Sequence, residues 1–316
     1  MTSHPIRRDL LAAAAAAVLL VLVAAAVPWL RFVLTVALAK GLAALGLLLL
    51  LRAGQVSFGH GLFVADSAYT VAFLAPRVPE MLLLLPLSLL VAGVLGLAVG
   101  AFVVRYRDIF FGMLNLALSM VFYSLLDKFY DVTRGSDGMR VPATSLFGQA
   151  LSGEARGWAV FAVALGLALA FGAFARVYLG SPMGQTLAGI KTREDRLAFM
   201  GVPSRAILLF AYVASAVMAG AGGFVTALAT GQVTPALAYW TSSGELIFIA
   251  ILGGTGSVFG PFLGALAYEL TRVYAAATLA GAWQMVLGGM MLVVILFAPG
   301  GLLQIASLRP RRKAPA

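Results

Sequence analysis

The sequence has no cysteine, which excludes a disulfide framework, thiolate chemistry and any cysteine-ligated metal site. Charge is scarce as well: Asp, Glu, Lys and Arg make up 11% of 316 residues, against 62% hydrophobic ones. That balance lies far outside the usage of soluble globular domains. Strands alternating in the manner of membrane barrels are missing too. What is present is a series of apolar runs, each close to the roughly 20 residues with which a helix crosses a hydrocarbon core. Only helices and closed barrels satisfy every backbone polar group in lipid, so the chain reads as an all-α, polytopic membrane helical bundle. The pattern GxxxxGK[ST] does not occur, nor does a nucleophile elbow or HExxH, so ATP binding of the P-loop kind is excluded and no cofactor, metal or catalytic residue is expected.

The net charge of +10 does not indicate nucleic acid, because the basic residues flank apolar runs rather than forming one patch. It sets topology instead, since cytoplasmic loops carry the excess of Lys and Arg. Ten spans are expected, at 10–30, 32–51, 56–75, 81–104, 109–126, 158–178, 205–229, 244–260, 262–280 and 283–303, in one transmembrane domain over 1–316. The first run, with Arg7 and Arg8 before it, is too long for a signal-peptide core and reads as a retained helix. With both termini cytoplasmic, Arg52, Arg105, Arg107, Arg176, Lys191, Arg193, Arg196, Arg205, Arg309, Arg311, Arg312 and Lys313 join them inside. Only Arg31, Arg77, Lys128, Arg134, Arg140 and Arg156 then fall outside. The external loop 127–157 balances four basic against four acidic residues, and its turn string Gly135-Ser136-Asp137-Gly138 predicts a folded loop. Two spans are interrupted by glycine, the third by GQVSFGHG and the eighth by GGTGSVFGP. Broken segments point to a translocation path, whereas the second also reads as a plain reversal between helices.

One long charge-bearing stretch lies between two apolar spans, from Ser181 to Arg205. Ser181-Pro182 predicts a helix start, and Thr192-Arg193-Glu194-Asp195 fits a capping box. With Gly201 as the left-handed stop and Pro203 as a block, a short helix is predicted from about Arg193 to Met200. Leu187, Ile190, Leu197 and Met200 give it an apolar side. An interfacial helix on lipid headgroups is the plainer reading; acids mixed with bases, and sharp punctuation at both ends, favour a partner protein.

A short cytoplasmic helix between two spans, ending in Gly, resembles the coupling helix of ABC importer permeases. The order of further motifs is similar to the LivM-type permease of branched-chain amino acid importers. These motifs are Gly59-His60 with Ala68-Tyr69-Thr70, Gly135-Ser136-Asp137-Gly138, Pro182-Met183-Gly184, and Gly253-Gly254-Thr255-Gly256-Ser257 with Gly260-Pro261, across residues 35–303. The resemblance implies alternating access driven by two separate ABC ATPase subunits, a second related permease subunit, an external substrate-binding protein and a bacterial inner-membrane location. It implies ATPase coupling through Lys191, Arg193, Glu194, Asp195, Arg196, Leu197 and Gly201 in segment 181–204, and binding-protein docking at Gly135, Ser136, Asp137 and Gly138. Branched-chain amino acids are the implied substrates, with urea, short amides or other amino acids as alternatives. Arg196, Leu197 and Phe199 depart from the small residues usual after the coupling-helix acid. Asp66, flanked by Ala65 and Ser67, departs in the third span.

Ionisable residues inside apolar spans face protein or a wet cavity, so each is a functional candidate. The path candidates are His60, Asp66, Tyr69 and Glu245. His60 also reads as a structural hydrogen-bonding group, Asp66 as a partner of Lys40, and Glu245 as a helix N-terminal charge. Glu269 and Arg272, three apart, are expected to neutralise each other. An ion-coupled secondary transporter using Asp66 is the first rival reading, and a membrane-embedded enzyme built on His60, Asp66 and Glu245 the second.

Overall fold

A computed structural model of the chain describes residues 4–278, 281–298 and 300–303. Among these residues there are twelve α-helices. They are α1 (His4–Ala26), α2 (Pro28–Arg52), α3 (His60–Leu74), α4 (Met81–Val103), α5 (Asp108–Lys128), α6 (Tyr130–Thr133), α7 (Gly153–Gly180), α8 (Pro182–Phe199), α9 (Ser204–Thr230), α10 (Trp240–Gly253), α11 (Gly260–Thr278) and α12 (Trp283–Phe297). Five of them, α2, α4, α5, α7 and α9, are long and apolar enough to cross a membrane. The expected basic residues Arg309, Arg311, Arg312 and Lys313 lie outside the described residues.

Helix breaks follow local chemistry. α1 ends because Pro28 cannot donate to the ladder and forces Val27 into extended backbone (φ −131°, ψ 92°); Pro28 then opens α2 at its first position. The break therefore falls four residues before the expected one. Arg31, expected in an outer loop, is instead buried in the first turns of α2. Likewise the long loop ends at Ser152, and Arg156, also expected in it, belongs to α7 and donates to the Leu228 carbonyl at 3.2 Å.

α2 is the central helix, buried along most of its length, and packs on α9, α11, α7 and α10. α9 is the second hub and touches α2, α3 and α4. Its small residues permit this: a Cβ at Gly222 would meet the Ala39 carbonyl oxygen at 2.4 Å, and one at Gly223 the Val64 carbonyl oxygen at 2.1 Å. Close backbone approach through small residues is how helices associate where lipid supplies no hydrophobic drive.

The glycines expected to interrupt the eighth span form the reversal between α10 and α11. A Cβ at Gly253 would lie 1.8 Å from the Gly260 carbonyl oxygen, and Gly254 has φ 100°. The other reversal end is built from short strands. β1 (Met139–Arg140) pairs antiparallel with β4 (Gln232–Val233), in the register Met139 to Val233 and Arg140 to Gln232. β2 (Ser145–Leu146) pairs with β3 (Gln149–Ala150) in a hairpin.

Candidate functional site

α8 begins where α7 ends. Ser181 is extended (φ −76°, ψ 163°), and its hydroxyl accepts the Gly184 amide at 3.3 Å, while Pro182 fills the first helical position. Leu187 and Ile190 are buried against the bundle, and the Lys191 stem lies along Gly54, which is left-handed at φ 76°. At Arg193 the helix breaks (φ −155°, ψ 88°) and then resumes to Phe199. Gly201 is left-handed (φ 73°), as its position after the helix demands, and Pro203 precedes α9.

Both expected starts are present: the helix opens at Pro182, and a second piece follows the break at Arg193. Two expectations for this segment are corrected. No capping box forms, because the Thr192 hydroxyl donates back to the Ala188 and Gly189 carbonyls at 3.2 and 3.1 Å, the usual habit of a helix-interior threonine. Met200 lies outside the apolar side, 75% exposed.

Glu194 is partly buried, and both its carboxylate oxygens are engaged within the subunit. Its two oxygens take Nη2 and Nε of Arg107 at 2.7 and 2.8 Å, a two-pronged fork. Arg107 precedes α5 and also donates to the Tyr106 carbonyl at 2.9 Å and to that of Val104. The next residue, Asp108, has φ 52° and gives its amide to Gln55 Oε1 at 2.9 Å. The α4–α5 turn, the Gly54–Gly59 stretch and α8 are thus joined by polar contacts. Lys191, Arg193, Asp195 and Arg196 remain exposed beyond them, and Leu197 is half-buried.

Within the bundle, Lys40 of α2 lies 3.0 Å from Glu245 Oε2 of α10 and 2.7 Å from Glu269 Oε1 of α11. The second is an ion contact without hydrogen-bond alignment. Arg272 stands 3.6 Å from the same Glu269 oxygen and over the Trp283 ring. The local Glu269–Arg272 pair is therefore the weaker part of a four-charge cluster, and Glu245 is one of its members, not an isolated helix-end charge. Lys40 is not the partner of Asp66. Asp66 Oδ2, Ser67 Oγ and Tyr69 Oη, all on α3, are buried without a hydrogen-bond partner. His60 is fully buried, with Nδ1 3.0 Å from Ser57 Oγ and Nε2 bonded to Ser215 Oγ of α9. Both ring nitrogens are thus engaged within the subunit. No hydrogen bond or ion pair joins His60, Asp66 and Glu245, and no cluster of three His, Asp or Glu that could hold a metal occurs among the described residues.

At the opposite end, Gly135–Asp137 is a 3-10 turn. Asp137 Oδ2 accepts from the Tyr130 hydroxyl at 2.7 Å, and its carbonyl accepts from Gln232 Nε2 at 3.0 Å. The Asp137 carboxylate, by that hydrogen bond and its charge, raises the Tyr130 phenol above its ordinary value. Gly135 and Gly138 shape the turn at φ 49° and 72°, while Ser136 and Asp137 are exposed. Glu80 anchors the hairpin here, accepting the amides of Gly148 and Phe147 and the Ser145 hydroxyl.

Sequence reasoning missed Arg107 as the partner of Glu194, since nothing local links residues 87 apart. It also missed Asn115, whose Oδ1 accepts from the buried Tyr212 hydroxyl at 2.5 Å. A lone Asn inside an apolar run was the available signal, because such amides bond across helices.

The profile of a family described as "Branched-chain amino acid transport system / permease component" matches residues 29–296. The "High-affinity branched-chain amino acid transport system permease protein LivM" of Escherichia coli (strain K12) is 29% identical, covering 82% of this chain and 66% of that protein. Its namesake in Salmonella typhimurium is 28% identical with the same coverage. A "Probable branched-chain amino acid transport permease protein LivM" of Methanocaldococcus jannaschii is 25% identical over 70% of this chain and 68% of its own length. The chain spans about two thirds of the length of these curated relatives. No solved structure matches. With most of its helical body, residues 29–296, falling inside the profile, the chain belongs to the branched-chain amino acid transport system permease family.

Proposed function

We propose that this chain is the membrane-spanning permease subunit of an ATP-driven importer for branched-chain amino acids, working by alternating access and hydrolysing no ATP itself. The observation that carries this reading is α8: a capped, charged helix anchored on the bundle by Leu187 and Ile190, with Lys191, Arg193, Asp195 and Arg196 exposed. In a chain so poor in charge, four exposed ionic groups on one short segment suit a soluble partner, and the names of the relatives specify the transport system. In this reading α8 is the coupling helix against one of two separate ATPase subunits, and Glu194 positions it through Arg107. Ten helices span the bacterial inner membrane, with both termini and α8 cytoplasmic. A second, related permease completes the path, and Ser136 and Asp137 on the external loop receive a substrate-binding protein. Asp66, Tyr69 and Glu245 are path residues, Asp66 and Tyr69 because their polar atoms lack partners inside the subunit.

Purification of the chain from its native membrane in mild detergent should recover an ABC ATPase with it. Recovery of a stable permease without any ATPase would overturn the proposal. Lys191→Ala combined with Arg196→Ala should leave the permease inserted and reduce ATP-driven uptake about tenfold, the loss of about 1.4 kcal/mol of coupling; unchanged uptake would remove α8 from the mechanism.

A further inference from the structure

A cavity of about 540 Å³ opens at the end of the bundle opposite α8, among the first turns of α2 and α7 and the last turn of α9. Neither the coupling segment nor the four-charge cluster accounts for it. Arg31 lines it and is only 7% exposed. Its guanidinium carbon lies 3.9 Å from the centre of the Trp158 ring, and Nη2 reaches Glu154 Oε1 at 3.2 Å and the Ala24 carbonyl at 3.5 Å. Nε is buried with no hydrogen-bond partner. Arginine keeps its charge at every working pH, so a buried guanidinium with an open donor calls for an anion. Arg156 lines the same cavity, and the one carboxylate there, Glu154, is 73% exposed at its side chain, which leaves an excess of positive charge.

The rim indicates the source of the anion. Phe32 lines the cavity on the α2 side and is 53% exposed, as is Trp29 beside it. Aromatic side chains at the end of an apolar helix mark the headgroup level of a bilayer, and a guanidinium pairs with a phosphate through its planar fork of donors. A small anion arriving from water makes no use of such a rim, whereas acyl chains lie along it. We propose that this cavity is a binding site for an anionic phospholipid, its phosphate on Arg31 and Arg156 and its chains against Trp29 and Phe32. The lipid would tie α2 to α7 and α9 from outside.

The test uses the purified full chain in mild detergent, with phosphatidylglycerol or phosphatidylcholine added, followed by native mass spectrometry. One phosphatidylglycerol per chain should survive, with phosphatidylcholine retained about tenfold less. Gly157→Leu is the informative variant, because a Cβ there points at Arg31 Nη1 and Cδ from 3.8 and 3.9 Å, ordinary contact distances. Its side chain should fill the cavity, cut phosphatidylglycerol retention about tenfold and leave the melting temperature unchanged. Arg156→Lys should keep most of the retention and Arg156→Gln should give the same loss as Gly157→Leu, by removing the charge. Equal retention of both lipids, or full retention by Gly157→Leu and Arg156→Gln, would overturn the site. Displacement of the lipid by millimolar inorganic phosphate, which then binds alone and is lost in Gly157→Leu, would assign the cavity to a free anion and overturn the lipid.

Discussion

The fork between Arg107 and Glu194 joins side chains that are 21% and 33% exposed, at 2.7 and 2.8 Å. Partial exposure limits its strength, so a double-mutant cycle should give about 0.5–1 kcal/mol of coupling. Its importance lies in direction, because it fixes the second half of α8 beyond the break at Arg193. Glu194→Arg should impair uptake and Arg107→Glu should do likewise, while the doubly exchanged protein should recover most of it. Failure of the double variant to recover would mean that Glu194 meets the partner directly, as the sequence alone suggested. Lys40 is a harsher case, being 18% exposed between two carboxylates. Lys40→Met leaves Glu245 without an ion partner and Glu269 with Arg272 alone, and should cost about 3 kcal/mol, read as a lowered melting temperature in detergent. Adding Glu245→Gln and Glu269→Gln should restore most of that loss; no restoration would exclude the ion cluster as the cause.

At the scale of elements, α10 and α11 approach each other at backbone distance. A Cβ at Gly264 would sit 2.1 Å from the Ile249 carbonyl oxygen, and neither backbone can yield. Gly264→Ala should therefore destabilise by about 2–4 kcal/mol, whereas Gly166→Ala, with nothing within 4 Å, should stay within about 0.5 kcal/mol. Equal melting temperatures for the two variants would show that the helices separate freely. The β2–β3 hairpin hangs on Glu80, whose carboxyl is held below its ordinary value, chiefly by the Gly148 amide and then by Ser145 and Phe147, against partial desolvation. A lowered folded value means the anchor is complete above the ordinary carboxylate pKa and is lost as pH falls through the folded one. Protection of the Phe147 and Gly148 amides from hydrogen exchange, corrected for intrinsic rate, should accordingly fall in acid, and Glu80→Gln should abolish that dependence. Hydropathy made the helices legible, and Ser181-Pro182 and Gly201 marked the limits of α8 locally. Thr192-Arg193-Glu194-Asp195 misled because a box is only a local preference. Thr192 bonds the Ala188 and Gly189 carbonyls of its own helix, and Asp195 stays exposed. The partners of Lys40 and Arg31 were not legible, since they come from helices that no spacing rule brings together.

Across the whole molecule, the central position of α2 has a temporal consequence. Lys40 lies near its middle, and Glu245 follows 205 residues later in the chain. At about 5–20 residues per second, synthesis leaves the ammonium without that carboxylate for roughly 10–40 s. An unpaired Lys deep in a helix costs about 2.5–3.5 kcal/mol on insertion. The young chain must therefore hold α2 in the translocation machinery or tilted toward water until α10 and α11 arrive. The helix that ends at the centre of the bundle would be among the last to settle there, and the ribosome's pace becomes a parameter of its assembly.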